Sequence, residues 1–424
     1  MNRIISPSRL QGTVSIPASK SIMHRALICA ALANGSSIIR NCYLSQDIFA
    51  TMDCLEQLGA SFQVEDDTIL VEGIFSTPSE AVFQCRESGS TIRFLMPIAA
   101  ALGVDATFFG EGKLVTRPMS LYQQMFSKNG MNFDYSGQLP AHLSGTLQPG
   151  VFTLKGNVSS QFISGLLFAL PLLHGDSVIE ILPPFESKSY VDLTIQVLNH
   201  FGIQIEELPD GYRVPGNQQY HPQNYQVEGD YSQGAFFLTA AALGNPVSVC
   251  GLSEHSAQGD QFILTLLREM GIPMKFTDQG ILLDPPAVLK PFSIHAENIP
   301  DLVPILCVLA NFCSGISTIS QVKRLKIKES DRIASTQALL ESLGGHMEYD
   351  EQADCITVYP HGDFEGGTVF GYQDHRIVMA AAIGATRSKN PITIEGAECV
   401  AKSYPSFFED YEQLGGICHA VHLE

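Results

Sequence analysis

Six times along this chain a small polar cluster runs straight into an apolar, often alanine-rich segment that ends near a glycine, at intervals of roughly 70 residues. The segments are SKSIMHRALICAALANG to Gly35, SGSTIRFLMPIAAALG to Gly103, SSQFISGLLFALPLLHG to Gly175, GDYSQGAFFLTAAALG to Gly244, IPDLVPILCVLANFCSG to Gly315 and DHRIVMAAAIG to Gly384. Each reads as a helix that is apolar nearly all round, hence buried on all sides. A short strand-like run follows each: SSIIRN, ATFFG, SVIEIL, PVSVCGL, STISQV and PITIEGA. A second helical segment comes next and ends in Gly59, Gly130, Gly202, Gly271, Gly344 or Gly415. Its apolar and charged positions alternate at helical spacing, as in TQALLESLG, so one face stays wet. Two strand-like runs joined by a turn usually close the unit, as in ASFQVEDDTILVEG and HMEYDEQADCITVYP. The strand before each first helix is expected to come from the preceding pair.

This pattern predicts six copies of one α/β unit, with sheets outside and the first helices in the middle, the reverse of an ordinary barrel. Six units do not fit one core comfortably, and three plus three is the simplest division. A solenoid of stacked repeats is the alternative; it would want polar caps and has no reason to keep cations at helix starts.

The length of 424 residues fits two or three domains, and 45% hydrophobic with 16% charged residues describes a well-buried globular chain. No apolar run reaches the length of a membrane span, and MNRIISPSRLQG has no apolar signal core. Ten cysteines show no C-x-x-C pair and no metal spacing, and read as buried free thiols in a reducing cytosol. The net charge of −19 argues against nucleic acid and anionic membrane as partners. It leaves a small anionic ligand open, because Lys20, Arg25, Arg93, Arg117, Lys188, Lys328, Arg332, Arg376 and Lys402 all lie in or beside the polar clusters. A helix start is a natural anion site.

Four clusters stand out. Lys20, Ser21 and Arg25 sit at one helix start, with Ser21 and Arg25 one turn apart on one face. Ser159, Ser160 and Gln161 offer hydroxyls and an amide beside backbone N–H groups, which suits a phosphate. Lys328, Glu329 and Arg332 are expected to place cation, carboxylate and cation within one helical turn. His375 and Arg376 open the last buried helix. Singly, each has a plainer reading: an N-terminal cap, a solvated charged turn, a capping histidine. Together they occupy equivalent points of a repeat, which should meet where the units pack.

These residues carry a resemblance over essentially the whole length to the 5-enolpyruvylshikimate-3-phosphate synthase family. PASKSIMHRAL resembles its P-G-[SD]-K-S-x-x-x-R opening, and SGSTIR, TRPM, VSSQF, SKSY, VEGDYS, QGD at Asp260, NIPD, KIKESDR, DHR and AKSYP match in order. The K-x-K-E-S-D-R run is highly specific for that family. Two positions depart from it: Glu87 stands where the glycine loop usually has Asn, and Ala18 replaces a Gly of the opening motif.

The resemblance implies a two-domain inside-out α/β barrel of βαβαββ units, three per domain. Residues 1–18 with 228–424 would form one domain and 19–227 the other, with the active site in the cleft and closure on substrate. It implies transfer of the enolpyruvyl group of phosphoenolpyruvate to the 5-hydroxyl of 3-phosphoshikimate, without cofactor or metal, by a cytoplasmic monomer of the shikimate pathway. By the same resemblance Glu329 is the proton donor to C3, Asp301 the base near the 5-hydroxyl, and Lys20 touches both substrates. Lys20, Ser21, Arg25, Ser159, Ser160, Gln161, Ser187, Tyr190, Asp301 and Lys328 would bind 3-phosphoshikimate. Lys20, Gly89, Arg117, Gln161, Arg332, His375, Arg376 and Lys402 would bind phosphoenolpyruvate. Gly89 rather than Ala implies room for glyphosate.

UDP-N-acetylglucosamine enolpyruvyl transferases share the fold and the chemistry, but carry a reactive Cys shortly before the Arg-Pro that EGKLVTRPM lacks, and lack VSSQF. A catalytically dead protein on the same fold would be free to lose Lys20, Asp301, Glu329, Arg376 or Lys402, all of which are present.

Overall fold

A computed structural model describes residues 2–278 and 280–421. The chain separates into two compact units, Ala18–Glu228 (the contiguous unit) and Met1–Pro17 with Gly229–Glu424 (the split unit). Their borders lie one residue from the expected 18/19 and 227/228.

In the contiguous unit the helices are α1 Lys20–Leu32, α2 Gln46–Gln57, α3 Gly89–Leu102, α4 Ser120–Lys128, α5 Ser160–Ala169 and α6 Lys188–His200. The odd-numbered helices are the apolar ones, and α1 is buried without a break from Ile22 to Ala31. α3 and α5 touch through Phe94 and Phe168, whose rings meet edge-on at 5.3 Å. Gly165 permits that approach: a Cβ there would lie 2.3 Å from the Arg93 carbonyl oxygen. The even-numbered helices keep a wet face. α2 buries Ile48, Met52 and Leu55 and exposes Gln46, Phe49 and Glu56, a period of three to four. Left-handed glycines end these helices, for example Gly202 at φ 89°.

Three four-stranded sheets cover this core, each with one alternating face. In Glu80–Gln84, Ala81 and Phe83 turn inward while Glu80, Val82 and Gln84 face out. The order within a sheet repeats. Glu80–Gln84 runs parallel to Asp105–Phe109, which pairs antiparallel with Ala141–Ser144, which pairs antiparallel with Asn132–Asp134. Each apolar helix therefore follows a strand of its own, not one borrowed from the preceding hairpin as expected. A parallel neighbour needs a helical crossover, and both hairpin strands are already paired antiparallel.

The split unit repeats this plan with α7 Tyr231–Ala242, α8 Phe262–Glu269, α9 Val303–Asn311, α10 Arg332–Ser342, α11 His375–Gly384 and α12 Phe407–Gln413. Gly384 is the last residue of α11 itself, not a terminator beyond it. Two strands change places between the units. Gly12–Ser15, ahead of α1, runs parallel to Val247–Cys250 in the split unit. Asn224–Gln226, ahead of α7, runs parallel to Ser36–Arg40 in the contiguous unit. The sixth sheet is completed by Asn2–Ser6, inserted antiparallel between Ile392–Glu395 and Ile417–Val421. No helix among the described residues is long and apolar enough to cross a membrane.

Candidate active site

In the contiguous unit the polar residues gather at the starts of α1, α3, α5 and α6. Arg25 is 3% exposed and spends three donors: Nε to Thr194 Oγ1 at 2.8 Å, Nη1 to the Ser21 carbonyl at 2.7 Å and Nη2 to the Tyr190 carbonyl at 3.0 Å. Its guanidinium lies 5.1 Å from the Phe94 ring centroid, and burial lowers its pKa to about 10. Lys20 Nζ pairs with Asp47 Oδ2 at 2.8 Å. Ser187, at the head of α6, is buried in a left-handed conformation with φ 54°. That conformation costs a serine on the order of 1 kcal/mol or more.

A second group joins α3 to α5. Arg93 Nη1 donates to Gln161 Oε1 at 2.7 Å, and Gln161 Nε2 donates to Ser90 Oγ at 2.9 Å. Ser159 caps α5, accepting from the Gln161 N–H, and Ser160 is its first, buried residue. Arg117 reaches over Gly89, where a Cβ would lie 2.7 Å from Arg117 Nη1 and 3.1 Å from Arg93 Nη1. The Arg117 guanidinium makes no hydrogen bond or ion pair among the described residues, and its Nε is buried. Two guanidinium groups crowding a glycine at a helix start make a positive pocket. Arg86 pairs with Asp53 at 2.5 Å, not with its neighbour Glu87, whose carboxylate lies against Gly112. A third chain runs from His24 Nδ1 to Thr51 Oγ1 and on to Thr91 and Ser88, each step 2.7 Å, tying α1 to α2 and α3.

The split unit holds the charged centre. Arg332 is 1% exposed and is engaged by three carboxylates: Nε by Asp374 Oδ2 at 2.8 Å, Nη1 by Asp301 Oδ1 at 2.6 Å and Nη2 by Glu329 Oε2 at 2.6 Å. Asp301 Oδ2 lies 3.1 Å from Arg376 Nη2, and Lys328 Nζ lies 3.7 Å from Asp301 Oδ1. Lys402 Nζ donates to the Gln373 carbonyl at 3.0 Å, beside the start of α11 where His375 and Arg376 are buried. Lys328 and Glu329 precede α10 and do not share a helical turn with Arg332. Asp331 caps α10 through the N–H groups of Ile333 and Ala334, and Lys328 is extended at ψ −159°.

Charge follows from this geometry. Burial would push the Asp301 carboxyl up, but Arg376, Lys328 and Arg332 together hold it well below the usual carboxylate range. Burial lowers Lys328 to about 8, against the opposing pull of Asp301. Asp374, Glu329 and Asp301 keep Arg332 firmly protonated in spite of its burial.

Sequence reasoning passed over Asp374 and Asp47, and named Asp260 and Arg93 without a task. Asp374 had a signal, since an acid one residue before His-Arg at a helix start both caps the helix and offers a counter-ion. Asp230 is plainly a cap, accepting from the N–H groups of Ser232 and Gln233. No group of three or more metal-ligating side chains occurs among the described residues.

A family model described as EPSP synthase (3-phosphoshikimate 1-carboxyvinyltransferase) matches residues 4–411. The 3-phosphoshikimate 1-carboxyvinyltransferase of Clostridium kluyveri is 42% identical over 417 residues, 97% of either chain. That of Clostridium perfringens is 42% identical over 420 residues, 98% of either chain. Among solved structures, EPSP synthase from Acinetobacter baumannii matches with a TM-score of 0.81 and 24% identity, covering 99% of this chain and all of the other. The enolpyruvyl transferase NikO from Streptomyces tendae matches at 0.78 and 18%, covering 99% and 98%. These two likenesses concern the fold.

Proposed function

We propose that the two clusters divide between them the work of an EPSP synthase (3-phosphoshikimate 1-carboxyvinyltransferase), the family to which this chain belongs. The protein transfers the enolpyruvyl group of phosphoenolpyruvate to the 5-hydroxyl of 3-phosphoshikimate, in the shikimate pathway. The hydroxyl oxygen bonds to C2 while a proton reaches C3. The tetrahedral adduct then loses phosphate, and the proton leaves C3 as the double bond re-forms. Both substrates are anions carrying phosphate and carboxylate, so fixed positive charge must offset their repulsion.

In our reading Arg117, Gly89, Gln161 and Lys402 hold the phosphoenolpyruvate phosphate. Ser159, Ser160, Gln161, Ser187 and Tyr190 face the phosphate of 3-phosphoshikimate, and Ser21, Arg25, Asp301 and Lys328 its ring and carboxylate. Lys20 touches both substrates. Arg376 and Arg332, beside His375, hold the phosphoenolpyruvate carboxylate. Because residues for either substrate come from both units, one catalytic event engages both, and the protein closes on its substrates. The protein works as a cytoplasmic monomer.

The observation that carries the acid–base assignment is the cluster of Asp301 and Glu329 on shared cations. A carboxylate gripped by three cations is a weak base. A substrate carboxylate that takes Arg376 from Asp301 restores its proton affinity, and one that takes Arg332 Nη2 from Glu329 does the same there. Binding thereby prepares Asp301 to accept the hydroxyl proton and Glu329 to hold the proton given to C3.

The test measures phosphate release from phosphoenolpyruvate with 3-phosphoshikimate and, separately, with UDP-N-acetylglucosamine. Release with the first acceptor alone is expected; release with the second alone would overturn the reading. Small-angle scattering that shows equal dimensions with and without 3-phosphoshikimate would count against closure.

A further inference from the structure

Three acidic side chains are buried among the described residues, and all lie in the split unit: Asp230, Asp260 and Asp374. Asp374 is neutralised by Arg332 and also accepts the Arg376 N–H at 3.0 Å. Asp230 accepts two N–H groups at the head of α7. Asp260, in the short turn Gly259–Gln261 ahead of α8, receives neither a cation nor an N–H. The Ser232 hydroxyl donates to its Oδ2, and its Oδ1 has no partner although the residue is 2% exposed. The turn is fixed against α7, since Gln258 Oε1 accepts the Tyr231 N–H at 3.1 Å and Gln258 Nε2 donates to the Gly229 carbonyl at 2.7 Å.

The charges that act on Asp260 come from three other elements: Asp230 at the head of α7, Asp301 ahead of α9, and Arg376 in the first turn of α11. Asp301 already pairs with Arg376 at 3.1 Å. An ionised Asp260 would be a buried carboxylate with no counter-ion of its own and two like charges near it. Such a group costs several kcal/mol, which a bound proton removes.

We propose that Asp260 is a positioning residue that sets the grip of Arg376: it holds a proton while Arg376 engages Asp301 or a substrate carboxylate, and on losing that proton to solvent it draws on Arg376 and loosens both. The proposal rests on Arg376 being a ligand of the phosphoenolpyruvate carboxylate. Burial, then Asp301, pushes the Asp260 carboxyl up to about 7, against Arg376 and Ser232, so the change falls at neutral pH. The start of α7, the one polar helix start left without a task by sequence reasoning, thereby gains one through Ser232.

Two measurements test this on the intact protein. Difference infrared spectra between about pH 6 and about pH 8.5 should show a protonated-carboxyl carbonyl band that disappears as pH rises and is absent in Asp260→Asn. Over the same range the wild-type KM for phosphoenolpyruvate should rise on the order of tenfold, with the same midpoint and little change in kcat. Asp260→Asn should keep the low KM throughout, and Asp260→Glu should restore the rise. Ser232→Ala, which keeps the carboxyl and removes the hydroxyl that lowers its pKa, should move both midpoints to higher pH together. Absence of the band overturns the bound proton. A band that titrates while KM stays flat, or a KM rise unchanged in Asp260→Asn, overturns the control of Arg376. The band is independent of the role of Arg376, whose failure would show as an unaltered KM in Arg376→Ala.

Discussion

Arg332 and Asp374 are joined by two hydrogen bonds, Nε to Oδ2 at 2.8 Å and Nη2 to Oδ1 at 3.4 Å. Both side chains are almost wholly shielded from water, at 1% and 0% exposure. Asp374 also caps α11 and accepts from Ser330 at 3.0 Å, so one carboxylate fixes the loop before α10, the start of α11 and the guanidinium that Asp301 and Glu329 share. Asp374→Ala should therefore destabilise the protein by about 3–5 kcal/mol, read from denaturant unfolding. Asp374→Asn, which keeps the cap, should lose less stability yet still raise KM for phosphoenolpyruvate. Equal stability of Asp374→Ala and wild type would contradict this account.

Glu329→Gln and Asp301→Asn should each lower kcat by on the order of 10²-fold or more. Substrate affinity should survive. In Asp301→Asn it should even increase, because Arg376, Lys328 and Arg332 lose a competing carboxylate. Equilibrium binding of phosphoenolpyruvate beside steady-state kinetics checks both parts, and near-wild-type turnover in both variants would sink the acid–base roles.

Gly89→Ala should fold normally, since the atoms its methyl would meet are the ends of flexible side chains. Displacing the Arg117 and Arg93 guanidinium groups should raise KM for phosphoenolpyruvate on the order of tenfold, leaving that for 3-phosphoshikimate much closer to wild type. An unchanged KM for phosphoenolpyruvate would show that Arg117 does not hold its phosphate.

Arg25→Lys preserves charge but not the fork that reaches Thr194, Ser21 and Tyr190 together, nor the face laid over Phe94. We expect a loss of stability of about 1–3 kcal/mol and a raised KM for 3-phosphoshikimate. A lysine variant that matches wild type in both would refute the two-sided role of Arg25.

The pH dependence of stability has a defined sign at Asp260. Its folded pKa of about 7 lies above its unfolded value, so the folded state binds the extra proton. The contribution is fully present below the unfolded pKa and is lost as pH rises through about 7. Relative to Asp260→Asn, the wild type should lose up to about 1.4 kcal/mol per pH unit between about pH 4 and pH 7. Thermal unfolding of both proteins across that window measures it, and parallel curves would exclude the shift.

The core was legible because burial has a period: apolar segments such as LICAALA have no polar side for water, and alternation marks the strands. Terminators such as Gly202 and Gly344 were legible because a left-handed helix end favours one residue type. The exchange of Gly12–Ser15 for Asn224–Gln226 was not, since parallel pairing between residues 235 and 186 positions apart leaves no local mark. Nor did spacing show that Asp331 starts α10 and leaves Lys328 and Glu329 outside it. The cations were found from position alone, but which acid each one meets depends on how neighbouring repeats face each other. Arg86 meets Asp53 and Arg332 meets Asp374, both far from them in sequence.

The completing strand of the sixth sheet also imposes an order on biosynthesis. Arg3 and Cys418, which touch across that sheet, are separated by 415 residues. The contiguous unit has all its strands once Gln226 has left the ribosome, and its core can close then. The split unit cannot close until Ile417–Val421 has emerged as well. Its first strands, Asn2–Ser6 and Gly12–Ser15, must wait unpaired while a whole neighbouring unit folds between them and their partners. A nascent chain stalled after residue 228 would thus carry a finished unit behind a loose N-terminal ribbon, and removing that ribbon would cripple the later unit while sparing the earlier one.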